Sequence, residues 1–354
     1  MRTSRAAIFQ GVGLPWQLAD APIPDLRPDE ILVKISACTI CGSDVHSIDG
    51  RRSVPTPSIL GHEIVGEIAA FGSSDPMSDA RGEQLQIGDR VVWSVVVSCG
   101  HCFFCERELP QKCEQGFKYG HAACSSQSPL SGGYAEFIVL QPGTSVVRIP
   151  PTMSLEAACP LSCATSTIAA AMRLLRVQKE ETVLILGAGM LGLTACAMAK
   201  ERGARTVACV DLSAARAERA RSFGADTIHF EELSLPSILP PDQPHGYDVV
   251  VECTGSNEAT RLGLDAVRIG GRLGLVGAVF PGTPFPIAME RLVRRQISIH
   301  GIHNYAPEDL VAAVTFMEQA ERRHPFAQLV GPQFSLDDIE DAIHADRQSQ
   351  NERV

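Results

Sequence analysis

The stretch Thr182–Gly192, TVLILGAGMLG, gives the clearest indication of the fold class of this chain. It opens with an apolar, β-branched run, passes through three glycines and leads into an alanine-rich segment that reaches Ala199. This order predicts a strand, a tight turn and a helix. Thr182–Ala199 carries no charge and is long enough to span a membrane, but the glycines in its middle favour the strand–turn–helix interpretation, so we expect no membrane segment.

The glycines have the G-x-G-x-x-G spacing of a dinucleotide-binding loop. Gly187 allows the tight turn, Gly189 lets a pyrophosphate approach the backbone, and Gly192 lets the helix pack on the strand. Met190 and Leu191 complete the loop at the predicted start of the helix, where free N–H groups face the phosphates. We therefore expect a nucleotide cofactor here.

An acidic residue ends the next apolar run, TVACVD. A carboxylate at Asp211 would accept hydrogen bonds from the adenosine ribose hydroxyls and would repel a 2′-phosphate, which favours NAD. Asp211 also fits the N-cap of the following helix, and one residue can serve both roles. Arg216 keeps NADP open as an alternative, because a guanidinium can bind a phosphate.

Strand-like runs alternate with helical segments through the middle of the chain: TVLILG, TVACVD, YDVVVECTG and GRLGLVGA. This alternation predicts βαβ units and a doubly wound parallel sheet of the Rossmann type. The residues before about Ser154 are instead rich in period-2 alternation, turns and prolines, which predicts a β domain. The predicted fold class is therefore α/β with a separate β-rich domain.

Composition narrows the classes of function. The 354 residues carry a net charge of −10, which disfavours binding to nucleic acid or to an anionic membrane. The first residues contain no sustained apolar run before a cleavage site, so we expect a cytoplasmic protein. In a reducing compartment the twelve cysteines are more typical of metal binding or catalysis than of disulfides.

Four of these cysteines lie close together in SCGHCFFCERELPQKCEQ: Cys99, Cys102, Cys105 and Cys113. An iron–sulfur run would have a short final gap followed by proline, and a redox pair would need only two cysteines. Four thiolates at this spacing suit a closed, tetrahedral, structural zinc site, which we expect in a lobe at about residues 98–115.

A second set of metal-ligand residues is spread along the chain in CGSDVH and GHEIVGE. Cys41 and His62 are suitable zinc ligands, and three protein ligands with an open position make a catalytic zinc site. Asp44 is placed to orient the ring of His62. Ser43 and His46 could pass a proton from a bound alcohol to solvent.

Together with LGAGMLG, the four-cysteine lobe and ACPLSCATST, these motifs resemble the zinc-dependent alcohol dehydrogenases of the medium-chain dehydrogenase/reductase superfamily over essentially the whole chain. The resemblance implies a catalytic zinc on Cys41, His62 and Cys163, with Glu63 beside it. It also implies that Thr167 packs on the nicotinamide and that Arg353 lies near the pyrophosphate. The zinc would act as a Lewis acid while hydride passes to NAD.

Two further expectations concern architecture and ligand choice. By resemblance, residues 1–153 and 300–354 form a GroES-like β-barrel catalytic domain, residues 154–299 form the Rossmann domain, and the chain forms a homo-oligomer, either a dimer or a tetramer. The string CPLSC leaves the third zinc ligand open between Cys159, which stands where polyol dehydrogenases carry Glu, and Cys163. Spacing from Gly187 favours Cys163.

Cationic residues near the predicted active site suggest the substrate. Arg51 and Arg52 lie between His46 and His62, and Lys118 and His121 follow the zinc lobe. Guanidinium groups suit bidentate binding of oxyanions.

The strings GRRSVPTP, CFFCERELPQKCE and FKYGH also resemble a subgroup proposed to act in phosphonate metabolism. We therefore expect a small anionic alcohol such as a hydroxyalkylphosphonate. The alternatives are a neutral alcohol or polyol as substrate, and a non-catalytic protein that binds NAD or zinc.

Overall fold

The computed structural model describes residues 2–125, 128–230, 234–240, 243–349 and 353–354. The chain divides into two compact units. The first consists of Met1–Cys163, Ala306–Glu321 and Phe326–Val354, and the second of Ala164–Tyr305 and Arg322–Pro325. The division falls later in the chain than the predicted boundaries at 153/154 and 299/300, because the turn that ends at Cys163 packs with the first unit.

The strands of the first unit are β1 (Thr3–Ile8), β2 (Gln17–Pro22), β3 (Ile31–Thr39), β4 (Glu63–Phe71), β5 (Arg90–Trp93), β6 (Val96–Val97), β7 (Phe117–Lys118), β8 (Phe137–Leu140) and β9 (Val146–Arg148). Its helices are α1 (Gly42–Ile48), α2 (Leu155–Ala158), α9 (Pro307–Ala320) and α10 (Ile339–Gln348).

An antiparallel sheet of five strands, in the order β8-β3-β4-β5-β9, forms the centre of the first unit. The run GDRVVWSVVVS, predicted as one strand, is divided between β5 in this sheet and β6, which pairs with β7. The division occurs at Ser94, whose backbone N–H donates to the carbonyl of Ser145 at 2.9 Å. The two halves of one apolar run therefore pair with different strands, β5 with β4 and β9, and β6 with β7.

The second unit contains the strands β10 (Thr182–Leu186), β11 (Thr206–Val210), β12 (Thr227–His229), β13 (Tyr247–Glu252), β14 (Val267–Leu275) and β15 (Ser298–Gly301). Its helices are α3 (Ala164–Leu174), α4 (Met190–Glu201), α5 (Ala214–Arg219), α6 (Leu235–Ile238), α7 (Asn257–Ala266) and α8 (Met289–Arg295).

These six strands form one parallel sheet in the order β12-β11-β10-β13-β14-β15. Every residue of the central strand β10 is buried, as expected for a parallel sheet that is covered on both faces. From β10 the chain adds β11 and β12 on one side, and it then crosses back to add β13, β14 and β15 on the other side of β10. This reversal creates the crevice at the carboxyl ends of the strands in which such sheets bind ligands.

The stretch Thr182–Ala199 is divided between β10 and α4, as the sequence predicts. Within the described residues no single helix has the length and apolar composition needed to cross a membrane. One bent pair of helices, Leu155–Ser162 with Ala164–Leu174, passes that test of length and composition.

Candidate active site

Two neighbouring antiparallel strands bring Cys41 and His62 to one end of the sheet. β3 ends at Thr39, β4 begins at Glu63, and these two residues are direct partners in the register. Cys41 follows the end of β3 as the N-cap of α1, and His62 immediately precedes β4. Residues just outside a paired strand end are held close together, so this pairing creates the first half of the site.

A serine hydroxyl brings the third candidate ligand to the same place. Ser162 Oγ accepts a hydrogen bond from the backbone N–H of Ile64 at 3.1 Å and lies 3.3 Å from the carbonyl of His62. This contact ties the turn before Cys163 to β4. The ligand atoms of Cys41, His62 and Cys163 all lie within 4.8 Å of one another.

The structure distinguishes between the two candidate cysteines of CPLSC. Cys163 joins the group formed with Cys41 and His62, whereas Cys159 lines a cavity of about 340 Å³ whose lining includes none of those three residues.

The carboxylate of Asp44 holds two of the candidate ligands in place. Its Oδ2 accepts from the backbone N–H of Cys41 at 2.9 Å, and its Oδ1 lies 3.2 Å from both the N–H of Gly61 and His62 Nδ1. An ionised carboxylate only accepts, so His62 donates from Nδ1 and is left with Nε2 as its ligand atom.

Without metal, burial alone would lower the pKa of His62, but the charges of Asp44 and Cys41 outweigh it and raise that pKa to about 10. Zinc needs the neutral ring, so binding of zinc releases this proton.

The buried Glu63 and the partly buried Arg353 form an ion pair beside these ligands. Glu63 is fully buried, and burial raises its pKa to about 7 although Arg353 and a hydrogen bond from Thr39 Oγ1 at 2.7 Å act in the opposite direction. Its other oxygen, Oε1, is buried and has no hydrogen-bond partner within the described residues. A carboxylate oxygen of this kind fits the predicted position of Glu63 beside a metal. The pyrophosphate contact of Arg353 stays a prediction.

The two residues of the predicted proton relay lie on α1. Ser43 Oγ is 3.2 Å from His62 Nε2, the nitrogen that faces the other two ligands. His46 lies one turn further along the helix, where burial and the charge of Arg51 lower its pKa below the ordinary value. His46 is therefore neutral at pH 7 and can accept a proton.

The four-cysteine lobe closes on itself as predicted for a metal site. The sulfurs of Cys99, Cys102, Cys105 and Cys113 all lie within 4.8 Å of one another. Cys102 Sγ is 3.5 Å from Cys105 Sγ and 3.9 Å from Cys113 Sγ. A tetrahedral zinc site with Zn–S bonds of about 2.3 Å has S···S edges of about 3.8 Å, so these separations fit zinc and exclude a disulfide.

The backbone also prepares this lobe for thiolate ligands. N–H groups of Glu114 and Cys105 point at Cys102 and lower its pKa to about 6. Gly100, with φ of +79°, provides the left-handed residue that lets the first loop wrap. Preformed donors toward sulfur are characteristic of metal-bound thiolates.

Three of the four cationic residues predicted to bind substrate converge next to His62. Arg52 Nη1 lies 2.6 Å from His121 Nε2, and the rings of His121 and His62 meet edge to face at 4.8 Å between centroids. Burial and the charge of Arg52 lower the pKa of Lys118 to about 8. Arg51 is exposed, and its charge acts on His46 instead.

In the second unit a cavity of about 570 Å³ contains the predicted nucleotide residues Gly187, Asp211 and Arg216. Gly187 has φ of +98°, and a Cβ on Gly192 would meet the carbonyl oxygen of Gly187 at 1.7 Å, so both positions require glycine. Asp211 Oδ2 accepts from the N–H of Ala188 at 2.8 Å and so fixes the glycine loop. The cavity fits a nucleotide.

The other predicted loop residues lie where the sequence places them. Gly189 is the N-cap of α4, and Met190 and Leu191 form its first turn. Thr167 is buried on α3 in the second unit, and its contact with the nicotinamide stays a prediction.

Comparisons with known proteins agree with this architecture. The family described as "Alcohol dehydrogenase GroES-like domain" matches residues 27–151, and the family described as "Zinc-binding dehydrogenase" matches residues 191–319. Sorbitol dehydrogenase of Bacillus subtilis is 33% identical over 94% of this chain and 90% of its own length. A 5-exo-hydroxycamphor dehydrogenase of Pseudomonas putida is 32% identical over 97% of this chain and 95% of its own.

Among solved structures, an alcohol dehydrogenase from Thermotoga maritima superposes with a TM-score of 0.90, with 28% identity, over 98% of this chain and 97% of its own. The chain belongs to the zinc-binding alcohol dehydrogenases. The predicted fold, with its GroES-like and Rossmann parts, and the predicted class of enzyme are both confirmed. Zinc is the family's metal, and both cysteine-containing centres fit it.

The sequence reasoning missed two residues that hold parts of these sites in place. Ser162, which positions Cys163, looks like an ordinary small residue of a turn. Glu252 is fully buried at the end of β13, where its Oε1 accepts from the backbone N–H groups of Thr254 at 2.6 Å and Gly255 at 2.8 Å. Glu252 could have been found from the sequence, because it is a charged residue at the end of an apolar strand. No local signal marks Ser162.

Proposed function

We propose that the chain is an NAD-dependent zinc dehydrogenase that oxidises a small anionic alcohol, such as a hydroxyalkylphosphonate, to the aldehyde or ketone. When bound, zinc polarises the alcohol oxygen and NAD accepts a hydride from the neighbouring carbon. Cys41, His62 and Cys163 would hold the zinc.

Ser43 and His46 would carry the alcohol proton away from the centre. Support comes from the Ser43 hydroxyl beside His62 Nε2 and from the position of His46 one turn along α1. The lowered pKa of His46 keeps its ring neutral at neutral pH, so it can take the proton without a prior deprotonation.

The observation that carries the proposed substrate is the pairing of Arg52 with His121. His121 Nδ1 lies 3.0 Å from the carbonyl of Tyr119, and burial together with the charges of His62 and Lys118 lowers its pKa well below the ordinary value. The neutral ring therefore donates from Nδ1 and accepts from Arg52 at Nε2. This fixes the guanidinium and leaves its other N–H groups for an oxyanion.

Lys118 strengthens the case. Burial, and after it repulsion by the charge of Arg52, lowers the pKa of Lys118. A phosphonate or carboxylate group between Arg52 and Lys118 would remove the repulsion. Its hydroxyl-bearing carbon would then lie toward His62, whose ring contacts His121.

The choice of NAD is supported by Asp211, which lines the nucleotide cavity. Its carboxylate is held in place by the N–H groups of Ala188 and Ser213, at 2.8 and 2.9 Å. A fixed negative charge at this position opposes a 2′-phosphate. Arg216 lines the same cavity, and its guanidinium could bind the 2′-phosphate of NADP instead.

A homo-oligomer, either a dimer or a tetramer, also belongs to this proposal. β15 lies at the edge of the parallel sheet, and among the described strands it pairs with β14 alone. The neighbouring helix α8 exposes Met289 and Val293 to 77% and 75%. An open strand edge beside apolar side chains favours association with a second copy. Light scattering of the purified chain tests this.

The substrate proposal is tested by NADH formation from 2-hydroxyethylphosphonate and from 1-propanol. Losing a charged hydrogen bond costs about 1.5–3 kcal/mol, so Arg52→Ala should raise KM for the phosphonate about 10- to 100-fold and leave the neutral alcohol nearly unchanged. Arg51→Ala is the matched control, since it removes an adjacent but exposed charge, and should have a small effect.

If neutral alcohols are oxidised best and Arg52→Ala leaves kcat/KM for the phosphonate unchanged, the anionic substrate is wrong. The alternative is then a neutral polyol, which the 33% identity to a sorbitol dehydrogenase favours. A protein that binds zinc and NADH but oxidises no alcohol would point to a non-catalytic role.

A further inference from the structure

A cavity lined by cationic residues lies in the second unit, and the proposed dehydrogenase function does not use it. Its volume is about 530 Å³, and its lining consists of Arg173, Leu174, Arg176, Arg272, Ser298 and His300. It shares no lining residue with the nucleotide cavity. Three guanidinium groups and an imidazole thus line one cavity of a chain whose net charge is −10, and its lining contains no carboxylate.

The fold builds this cavity where the end of α3 packs on β14 and β15. Arg272 and Ser298 are direct partners in the parallel register, and His300, two residues along β15, points to the same face. A Cβ on Gly274 would meet the side chain of Leu175 at 2.6 Å, so glycine lets the end of α3 approach this face without displacing Leu175. Close packing therefore gathers side chains from three elements.

Arg272 is the fixed part of the lining. Its Nη1 donates to the carbonyls of Leu175 at 2.8 Å and Arg176 at 3.0 Å, and its Nη2 pairs with Glu181. These contacts hold the backbone of the segment that follows α3. The bond to the carbonyl of Arg176 also fixes the backbone from which the Arg176 side chain extends.

Arg176 is an unusual residue for its position. It follows the end of α3 with φ of +50°, a left-handed conformation in which glycine or asparagine is preferred. An arginine there costs stability, and no ion pair of its exposed side chain lies within the described residues that would offset the cost. Cations near a helix C-terminus interact favourably with the helix dipole, but a cation in the last turn, such as Arg173, already does this.

We propose that this cavity binds a small phosphorylated metabolite, with its phosphate held by Arg173 and Arg176 against the rigid Arg272. Guanidinium groups bind phosphate oxygens in a bidentate manner, and several of them around one cavity suit a dianion. A volume of about 530 Å³ lies within the usual range for sites of small organic ligands, which favours a phosphate ester over a bare ion. The site does not depend on the identity of the alcohol substrate.

The test uses calorimetric titration of inorganic pyrophosphate into the full-length protein saturated with NADH, which blocks the nucleotide cavity. Arg52→Ala is measured in parallel because the cationic residues near His62 could also bind the probe. We expect binding in the wild type and in Arg52→Ala, and an affinity at least tenfold lower in Arg173→Gln.

Arg176→Gly separates binding from folding. Glycine suits the left-handed backbone, so this variant should melt at the wild-type temperature or above while its affinity for pyrophosphate falls at least tenfold. Arg294→Gln removes an exposed charge on α8, paired with Glu290 at 3.4 Å, and should bind like the wild type.

Three results with the wild type and the variants at or near the sites would overturn the proposal, and one with the control variant. They are no binding at millimolar pyrophosphate, unchanged affinity in both Arg173→Gln and Arg176→Gly, and loss of binding in Arg52→Ala, which would place the anion near His62. An equal loss in Arg294→Gln would show a general effect of charge and would equally overturn it.

Discussion

Asp44 holds the imidazole of His62 by a contact of 3.2 Å between Oδ1 and Nδ1, while its other oxygen accepts the backbone N–H of Cys41 at 2.9 Å. One carboxylate therefore sets the ring orientation of one candidate ligand and the backbone of another. Both side chains are almost completely buried, at 1% and 3% exposure, so water does not compete for these bonds.

We expect Asp44→Asn to lower zinc affinity at the catalytic centre by about 10- to 100-fold and to lower kcat in parallel, because a neutral amide no longer fixes and polarises the ring. Zinc content after dialysis against a chelator, measured beside NADH formation, checks this. Asp49→Asn is the control, since Asp49 follows the same helix and pairs with the exposed Arg347. Wild-type zinc retention in Asp44→Asn would contradict the prediction.

The two cysteine-containing centres should hold one zinc each and differ in what they support. Cys105→Ser should retain one zinc and lower the melting temperature, because it opens a closed shell that stabilises the lobe. Cys41→Ser should retain one zinc, keep a circular dichroism spectrum like that of the wild type and lose turnover. Elemental analysis that finds one zinc or none in fully active wild-type protein would rule out this arrangement.

Cofactor choice should depend on Asp211. Asp211→Ala removes both the ribose acceptor and the charge that opposes a 2′-phosphate, so the ratio of kcat/KM for NAD to that for NADP should fall at least tenfold. Arg216→Ala tests the competing contact and should weaken NADP more than NAD. A wild-type preference for NADP would show that Arg216 outweighs Asp211.

The stability of the second unit should depend on pH through Asp248. Burial alone would raise the pKa of this carboxyl, but hydrogen bonds from Thr182 and the ion pair with Arg268 at 2.6 Å outweigh it and lower the pKa. A lowered pKa in the folded state means that the stabilisation is present above the unfolded value of about 3.9 and is lost as the pH falls through the folded value.

Asp248→Asn should therefore destabilise the protein by about 1–3 kcal/mol at pH 7 and by less at about pH 3. Midpoints of urea unfolding at the two pH values check this. Glu290→Gln removes an exposed partner of Arg294 and should change the midpoint little at either pH. An Asp248→Asn effect that stays constant with pH would contradict the assigned pKa direction.

Features that depend on near neighbours in the chain were predictable from the sequence. The loop TVLILGAGMLG folds as a strand, a left-handed glycine turn and a helix because each residue's role is local. The four lobe cysteines lie between Cys99 and Cys113, so a short loop suffices to gather them around one metal. The alternation of strands and helices predicted the parallel sheet, because each element is recognised from its own local pattern.

Residues that look alike in sequence were distinguished by contacts between distant parts of the chain. Cys159 and Cys163 lie in one turn, and the hydrogen bond from Ile64 to Ser162 brings Cys163, and not Cys159, to His62. Arg51 and Arg52 are adjacent, yet Arg52 alone of the two is held by His121, far along the chain. Glu63 and Arg353 meet across almost the whole chain. Contacts between distant segments form when strands pair and side chains pack into a core. The spacing of residues along the chain does not predict them.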